Sequence, residues 1–128
     1  MISKLGQVMV YVDDQDKAVK FWTQKVGFSV ITNVGEDKGM RWIEIAPSKD
    51  PDTTIVLHDR EVVSKMSPDL NLDTPSLMFY TNELEKLYAD FKEKGVTVGE
   101  LVNMPTGRVF NFADDEDNYF AVMEKLEK

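Results

Sequence analysis

The chain has no cysteine among its 128 residues and a single histidine, His58. Without thiols there is no disulfide, no Cys nucleophile and no thiolate metal site, and one imidazole cannot supply a multi-histidine metal cage. Positive charge is also scarce, with 15 Lys and Arg against 23 Asp and Glu, a formal charge of −8 and a pI near 4.6. Nucleic acid and anionic membrane both need a basic surface, to release counterions or to meet lipid headgroups, so both are poor partners, whereas a cationic or neutral small ligand stays open. No apolar run approaches the roughly 18 residues that cross a bilayer, and residues 1–7 lack the apolar stretch of a secretory signal, so a cytoplasmic location is expected. A Gly-rich phosphate loop, a nucleophile elbow and a His-centred triad are all missing, which disfavours hydrolases and nucleotide-dependent enzymes.

What is present suffices for one packed domain: 42% of the residues are hydrophobic and 10% aromatic, enough to bury a core. The chain also repeats itself. Alternating residues 7–12 predict a strand, and Ser76-Leu77-Met78-Phe79-Tyr80-Thr81 predicts its counterpart, with Met and Tyr at matching places. A helix follows each. In the first half Asp13 or Asp14 caps a helix carrying Ala18, Phe21, Trp22 and Val26, which Gly27 ends as a left-handed cap. In the second, Asn82 is the expected N-cap, with Glu85 completing a box-like pattern, and Leu84, Leu87, Tyr88 and Phe91 form one face up to Gly95. Strands are then predicted over 28–34, 41–46 and 54–58 in the first half, and over 97–102, 108–113 and 119–124 in the second. The pattern is β-α-β-β-β, twice. It makes a single domain over 1–128, with modules at 1–58 and 76–128. Residues 59–75, with Pro68, Pro75 and several Asp and Asn, read as a linker draped over the surface.

The two-residue period of a strand assigns faces. Val8, Val10 and Val12 turn to the first helix, and Gln7, Met9 and Tyr11 turn away. Leu77 and Phe79 face the second helix, and Ser76, Met78 and Tyr80 face away. By the same rule Thr54, Val56 and His58 oppose Ile55 and Leu57, while Tyr119, Ala121 and Met123 oppose Phe120 and Val122. One face is core. The other is apolar and aromatic yet carries Gln, Ser, His and Thr, the composition of a ligand cavity or a subunit interface.

The run from Gln7 to Phe28, with Val12-Asp13-Asp14, Ala18, Phe21-Trp22 and Val26-Gly27-Phe28, resembles the opening module of the vicinal oxygen chelate superfamily. That superfamily holds glyoxalase I, the bleomycin and fosfomycin resistance proteins and the extradiol dioxygenases. Phe91 to Val96 resembles its usual second-helix end, and Gly107-Arg108 leading to Asp114-Asp115-Glu116-Asp117-Asn118 resembles its segment before the last strand. The resemblance covers essentially the whole chain. It implies an α+β fold, two βαβββ modules forming a curled mixed sheet around a cleft with helices on the outer face, and it implies a homodimer.

In the metal-dependent members four side chains, usually His, Gln or Glu, hold the ion from the first and last strands of each module. The resemblance carries these positions onto Gln7, Val56, Ser76 and Ala121. Only Gln7 keeps a donor of the usual kind, through its amide oxygen, and Val56 and Ala121 have no donor atom. The departure implies that no metal or other cofactor is bound, with Gln7, Glu44 and His58 as thin candidates for a rebuilt divalent site. The first functional expectation is therefore a glyoxalase/bleomycin-resistance-like protein that binds a small molecule in a cleft lined by Gln7, Met9, Tyr11, Trp42, Val56, Ser76, Met78, Tyr80, Tyr119 and Ala121, with no catalytic residue identified. The alternative is a divalent-metal-dependent lyase or isomerase of the glyoxalase I type.

Each residue also has a plainer reading. His58 reads as an ordinary end-of-strand residue beside Asp59 and Arg60, Glu44 as the solvent side of a half-exposed strand, and Trp42 as core filling. The Met and Tyr residues equally suit a dimer seam. The acidic run 114–117 lacks the spacing of a calcium loop and reads as a turn before the last strand, with Asn118 taking the positive φ.

Overall fold

The computed structural model describes residues 1–35 and 41–125. It divides into two compact units, Met1–Pro75 and Ser76–Lys128, and each holds one open, four-stranded mixed sheet.

In the first unit β1 (Gln7–Val12) leads to α1 (Gln15–Lys20), then β2 (Ser29–Val34), β3 (Trp42–Ala46), β4 (Thr54–Asp59) and α2 (Arg60–Met66). The strand order is β1-β4-β3-β2, with β1 parallel to β4 and the other pairs antiparallel. Asp14 is the helix cap: its backbone is extended and its carboxylate accepts from the Lys17 N–H at 3.0 Å. The helix continues as a π-helical turn over Phe21–Val26, where the Thr23 hydroxyl donates to the Val19 carbonyl at 2.7 Å and competes with the backbone ladder. Gly27 then ends it at φ 92°, a left-handed conformation open to Gly at no steric cost. Val10, Val12, Ile43, Ile45 and Leu57 are buried on the helix side of the sheet together with Ala18, Phe21 and Trp22, as the alternation predicts.

Residues 59–75 differ from the expectation of a draped linker, because they begin with α2. The Asp59 carboxylate accepts from the N–H groups of Glu61 and Val62 at 3.0 and 3.2 Å, and Val63 is buried. The Pro and Asp content of 67–75 outweighs this short capped segment in a sequence pattern, while an apolar anchor stabilises it in the fold.

The second unit runs β5 (Met78–Thr81), α3 (Leu84–Glu93), β6 (Val102–Met104), β7 (Gly107–Ala113) and β8 (Tyr119–Glu124). Its order, β5-β8-β7-β6, repeats that of the first. Its core is aromatic: Phe91, Phe110, Phe112 and Phe120 are buried, and the Phe112 ring centroid lies 5.2 Å from that of Phe91 and 5.9 Å from that of Phe120.

Three local expectations are corrected here. The strand over 97–102 is reduced to one bridge, Val98 to Phe112, and regular pairing begins at Val102, because Gly99 and Glu100 break the β-favouring run. Asn82 does not cap α3. Glu83 occupies that position, the Thr81 hydroxyl accepts its N–H at 3.1 Å, and Glu85 pairs with Arg108 at 2.8 Å instead of closing a box. In the turn before β8 the positive φ belongs to Asp117, at 62°. Asn118 is held instead by Asp114, which accepts from its backbone N–H and its amide at 2.9 and 3.0 Å.

Candidate functional site

The open face of the first sheet gathers most of the candidate residues. Parallel pairing sets Gln7 beside Thr54, Met9 beside Val56 and Tyr11 beside His58, and Glu44 of β3 lies across from Val56. The result is a polar end and an aromatic end.

At the polar end the Glu44 carboxylate accepts from the Thr54 hydroxyl at 2.7 Å and from the Gln7 amide at 3.3 Å. The Thr54 hydrogen bond, with help from that of Gln7, holds this carboxyl below its ordinary range against the opposing effect of partial burial. Glu44 is thus an anion already surrounded by donors. Thr54 is the residue whose role sequence reasoning missed. Alternation puts Thr54 on this face, but its role rests on the register that brings β1, β3 and β4 together.

At the aromatic end His58 is only 6% exposed, far from an ordinary strand terminus. Its ring stacks on Tyr11 with centroids 5.8 Å apart and meets the Trp42 ring edge-on at 5.1 Å. Its Nε2 lies 3.2 Å from the Met9 sulfur, and among the described residues its buried Nδ1 has no hydrogen-bond partner. Burial pushes the imidazole below its ordinary pKa of 6.5, so the ring is neutral at pH 7. A base with a lowered folded pKa stabilises the fold above the unfolded value, and that contribution is lost as the pH falls through the folded value. The urea midpoint is therefore expected to drop as the pH is lowered below about 6.5, and to drop less in His58→Phe. Equal slopes for the two proteins between pH 7.5 and 5.5 would count against a buried neutral imidazole.

Val56, between the two ends, is fully buried and offers a ligand no surface in this conformation. In the second unit Ser76, Met78, Tyr80 and Tyr119 are exposed, and Ala121, half-buried, pairs with Met78. The Lys125 ammonium stands 5.4 Å from the Tyr80 ring centroid. A hollow of about 310 Å³ adjoins Tyr80, Thr81, Asn82 and Lys125, and one of about 340 Å³ lies along α3 between Thr81 and Glu93. The charged, solvent-facing walls of the latter set it apart from the candidate face.

The four positions that the resemblance assigns to a metal do not fit one. Val56 and Ala121 offer no lone pair, Ser76 offers a neutral hydroxyl, and the Gln7 amide is turned to Glu44. Among the described residues no group of three or more His, Cys, Asp or Glu stands close enough to hold an ion. The rebuilt set of Gln7, Glu44 and His58 divides between the two ends of the face: the first two meet, while His58 makes its contacts with Met9, Tyr11 and Trp42. No described helix is long and apolar enough to cross a membrane.

Residues 4–122 match the model of the Glyoxalase/Bleomycin resistance protein/Dioxygenase superfamily. The uncharacterized protein YetH of Bacillus subtilis (strain 168) is 34% identical over 125 residues, covering 97% of this chain and 100% of YetH. Among solved structures, TnmS3, an antibiotic binding protein from Streptomyces sp. CB03234, is 31% identical with a TM-score of 0.80, over 96% of each chain. A glyoxalase/bleomycin resistance protein from the same strain is 30% identical with a TM-score of 0.74, over 94% of this chain and 99% of the other. With both modules matched, the chain belongs to the glyoxalase/bleomycin resistance protein/dioxygenase superfamily.

Proposed function

We propose that this protein binds a small molecule on the Gln7, Met9, Tyr11 and Trp42 face, without a divalent ion or other cofactor, and acts by sequestration in the cytoplasm. The observation that carries this reading is the state of Glu44. Glu44, the one carboxylate on the face among the described residues, is taken up by the donors of Thr54 and Gln7, so it organises a wall instead of presenting a free ligand to a metal. The thioether and aromatic side chains beside it adapt to a ligand's shape and stack on it. The likeness to an antibiotic binding protein supports the same reading. A net charge of −8 draws a cationic drug or metabolite toward the protein, although salt screens that field beyond about 8 Å. In the second unit the exposed Met78, Tyr80 and Tyr119 suit the seam of a homodimer, which the mass in solution reads out.

The test is a thermal-shift screen of cationic and neutral antibiotics beside magnesium, manganese, nickel and zinc. A ligand at about 100 times its Kd stabilises the native state by about 2.7 kcal/mol and raises Tm by several degrees. A response to antibiotics but not to metals is expected. Stoichiometric nickel or zinc in the purified protein, or turnover of the methylglyoxal–glutathione hemithioacetal, would replace this reading with a metal-dependent lyase or isomerase of the glyoxalase I type.

A further inference from the structure

We infer that His58 is the specificity-determining residue of this face, and that the ligand carries a flat aromatic ring with a hydroxyl or N–H group that donates to the His58 ring nitrogen Nδ1. The inference rests on the small-molecule reading above and assigns its ligand class. The imidazole is more than nine-tenths buried, and among the described residues its Nδ1 lacks a partner while Nε2 is engaged with the Met9 sulfur. With Nε2–H donating to that sulfur, the ring is the tautomer whose Nδ1 is an acceptor. A buried acceptor left unpaired is costly, and native folds rarely keep one without a reason.

The surroundings define what can reach it. Tyr11 stacks on one face of the imidazole and Trp42 meets it edge-on, so a flat ring is the shape these neighbours accept. Tyr11 sits on the edge strand β1 and is only half-buried, which makes it the side chain free to swing aside. Trp42, by contrast, sits on β3, an inner strand of the sheet. The acidic group of the face, Glu44, lies across from Val56, two residues along β4 from His58 or about 7 Å, and its carboxylate already accepts from Thr54 and Gln7. The group that meets Nδ1 is therefore selected for a hydrogen to donate and not for positive charge.

Two probes that differ in one group test this: 2-naphthol and 2-methylnaphthalene, titrated into tag-free full-length protein and followed by NMR. As the only histidine in the chain, His58 gives unambiguous ring signals. On a merely apolar surface the methyl compound binds the tighter of the two, because burying an unpaired hydroxyl is unfavourable. The expected result is about a tenfold preference for 2-naphthol, the size of one net buried hydrogen bond, with the His58 signals shifting. That preference should vanish in His58→Phe and return in part in His58→Gln, which keeps a neutral acceptor. If both probes shift the Trp42 indole signal but bind wild-type protein equally, the role of His58 is overturned and the binding face stands. If neither probe shifts Trp42, Tyr11 or His58, the inference falls together with the placement of the ligand site on this face.

Discussion

Replacing Phe112 by Ala is expected to lower stability by roughly 4 kcal/mol, the cost of removing a large aromatic side chain from a packed core. Phe112 is fully buried on β7 and contacts three rings, with centroid distances of 6.3 Å to Phe79, 5.2 Å to Phe91 and 5.9 Å to Phe120. The substitution removes an aromatic volume that three other large rings cannot refill without leaving their rotamers. For a domain whose total stability lies at about 5–15 kcal/mol, that loss takes from about a quarter to about four-fifths of the margin. Met104→Ala is the control. Met104 is 48% exposed, and its loss is expected to change stability by no more than about 0.5 kcal/mol. Equilibrium urea unfolding of the two variants measures the difference between the packed and open faces. A cost below about 1 kcal/mol for Phe112→Ala would refute the ring cluster as the anchor of this unit.

The second large effect is expected at Glu44. In Glu44→Ala the buried Thr54 hydroxyl and the Gln7 amide lose a charged acceptor, and the expected cost is about 2 kcal/mol, since bonds to charged groups are worth roughly 1.5–3 kcal/mol and some freed donors find water. The pH dependence has a definite sign. The folded carboxyl titrates below its ordinary value of 4.5, so its contribution is complete above about pH 4.5 and is lost as the pH falls through the lower folded value. Wild-type protein should therefore exceed Glu44→Gln in stability at pH 7, and the gap should close toward pH 3. A gap that persists at pH 3 would mean that Glu44 acts through shape instead of charge. The same variant frees the Gln7 amide and the Thr54 hydroxyl on the candidate face, so weaker ligand affinity should accompany the stability loss.

The corrections share one cause. At Asn82 the local sequence offers a good helix cap, yet Glu83 takes the cap position with no side-chain bond to the helix, its own N–H held by the Thr81 hydroxyl, and Arg108 draws Glu85 away. At Asn118 the turn chemistry permits a positive φ, yet Asp114 satisfies Asn118 with two hydrogen bonds and the positive φ moves to Asp117. In α2 a short helix that would not persist alone is capped by Asp59 and anchored by Val63. In each case a specific side-chain contact, close in the chain except for that of Arg108 with Glu85, changes the balance between local alternatives that differ by about 1 kcal/mol.

The duplicated module, the order of its elements, the Gly27 stop and the division of each strand into a core side and an open side follow from the sequence alone, because they depend on near neighbours and on the two-residue period of a strand. The weakness of the metal positions is equally legible, since valine and alanine lack lone pairs in any fold. Only the tertiary structure decided that Thr54 stands beside Gln7, that both meet Glu44, and that His58 is buried between Tyr11 and Trp42. These relations depend on the register of β1 against β4 and of β4 against β3, set by the packing of both sheet faces at once, and no short stretch of the chain encodes that.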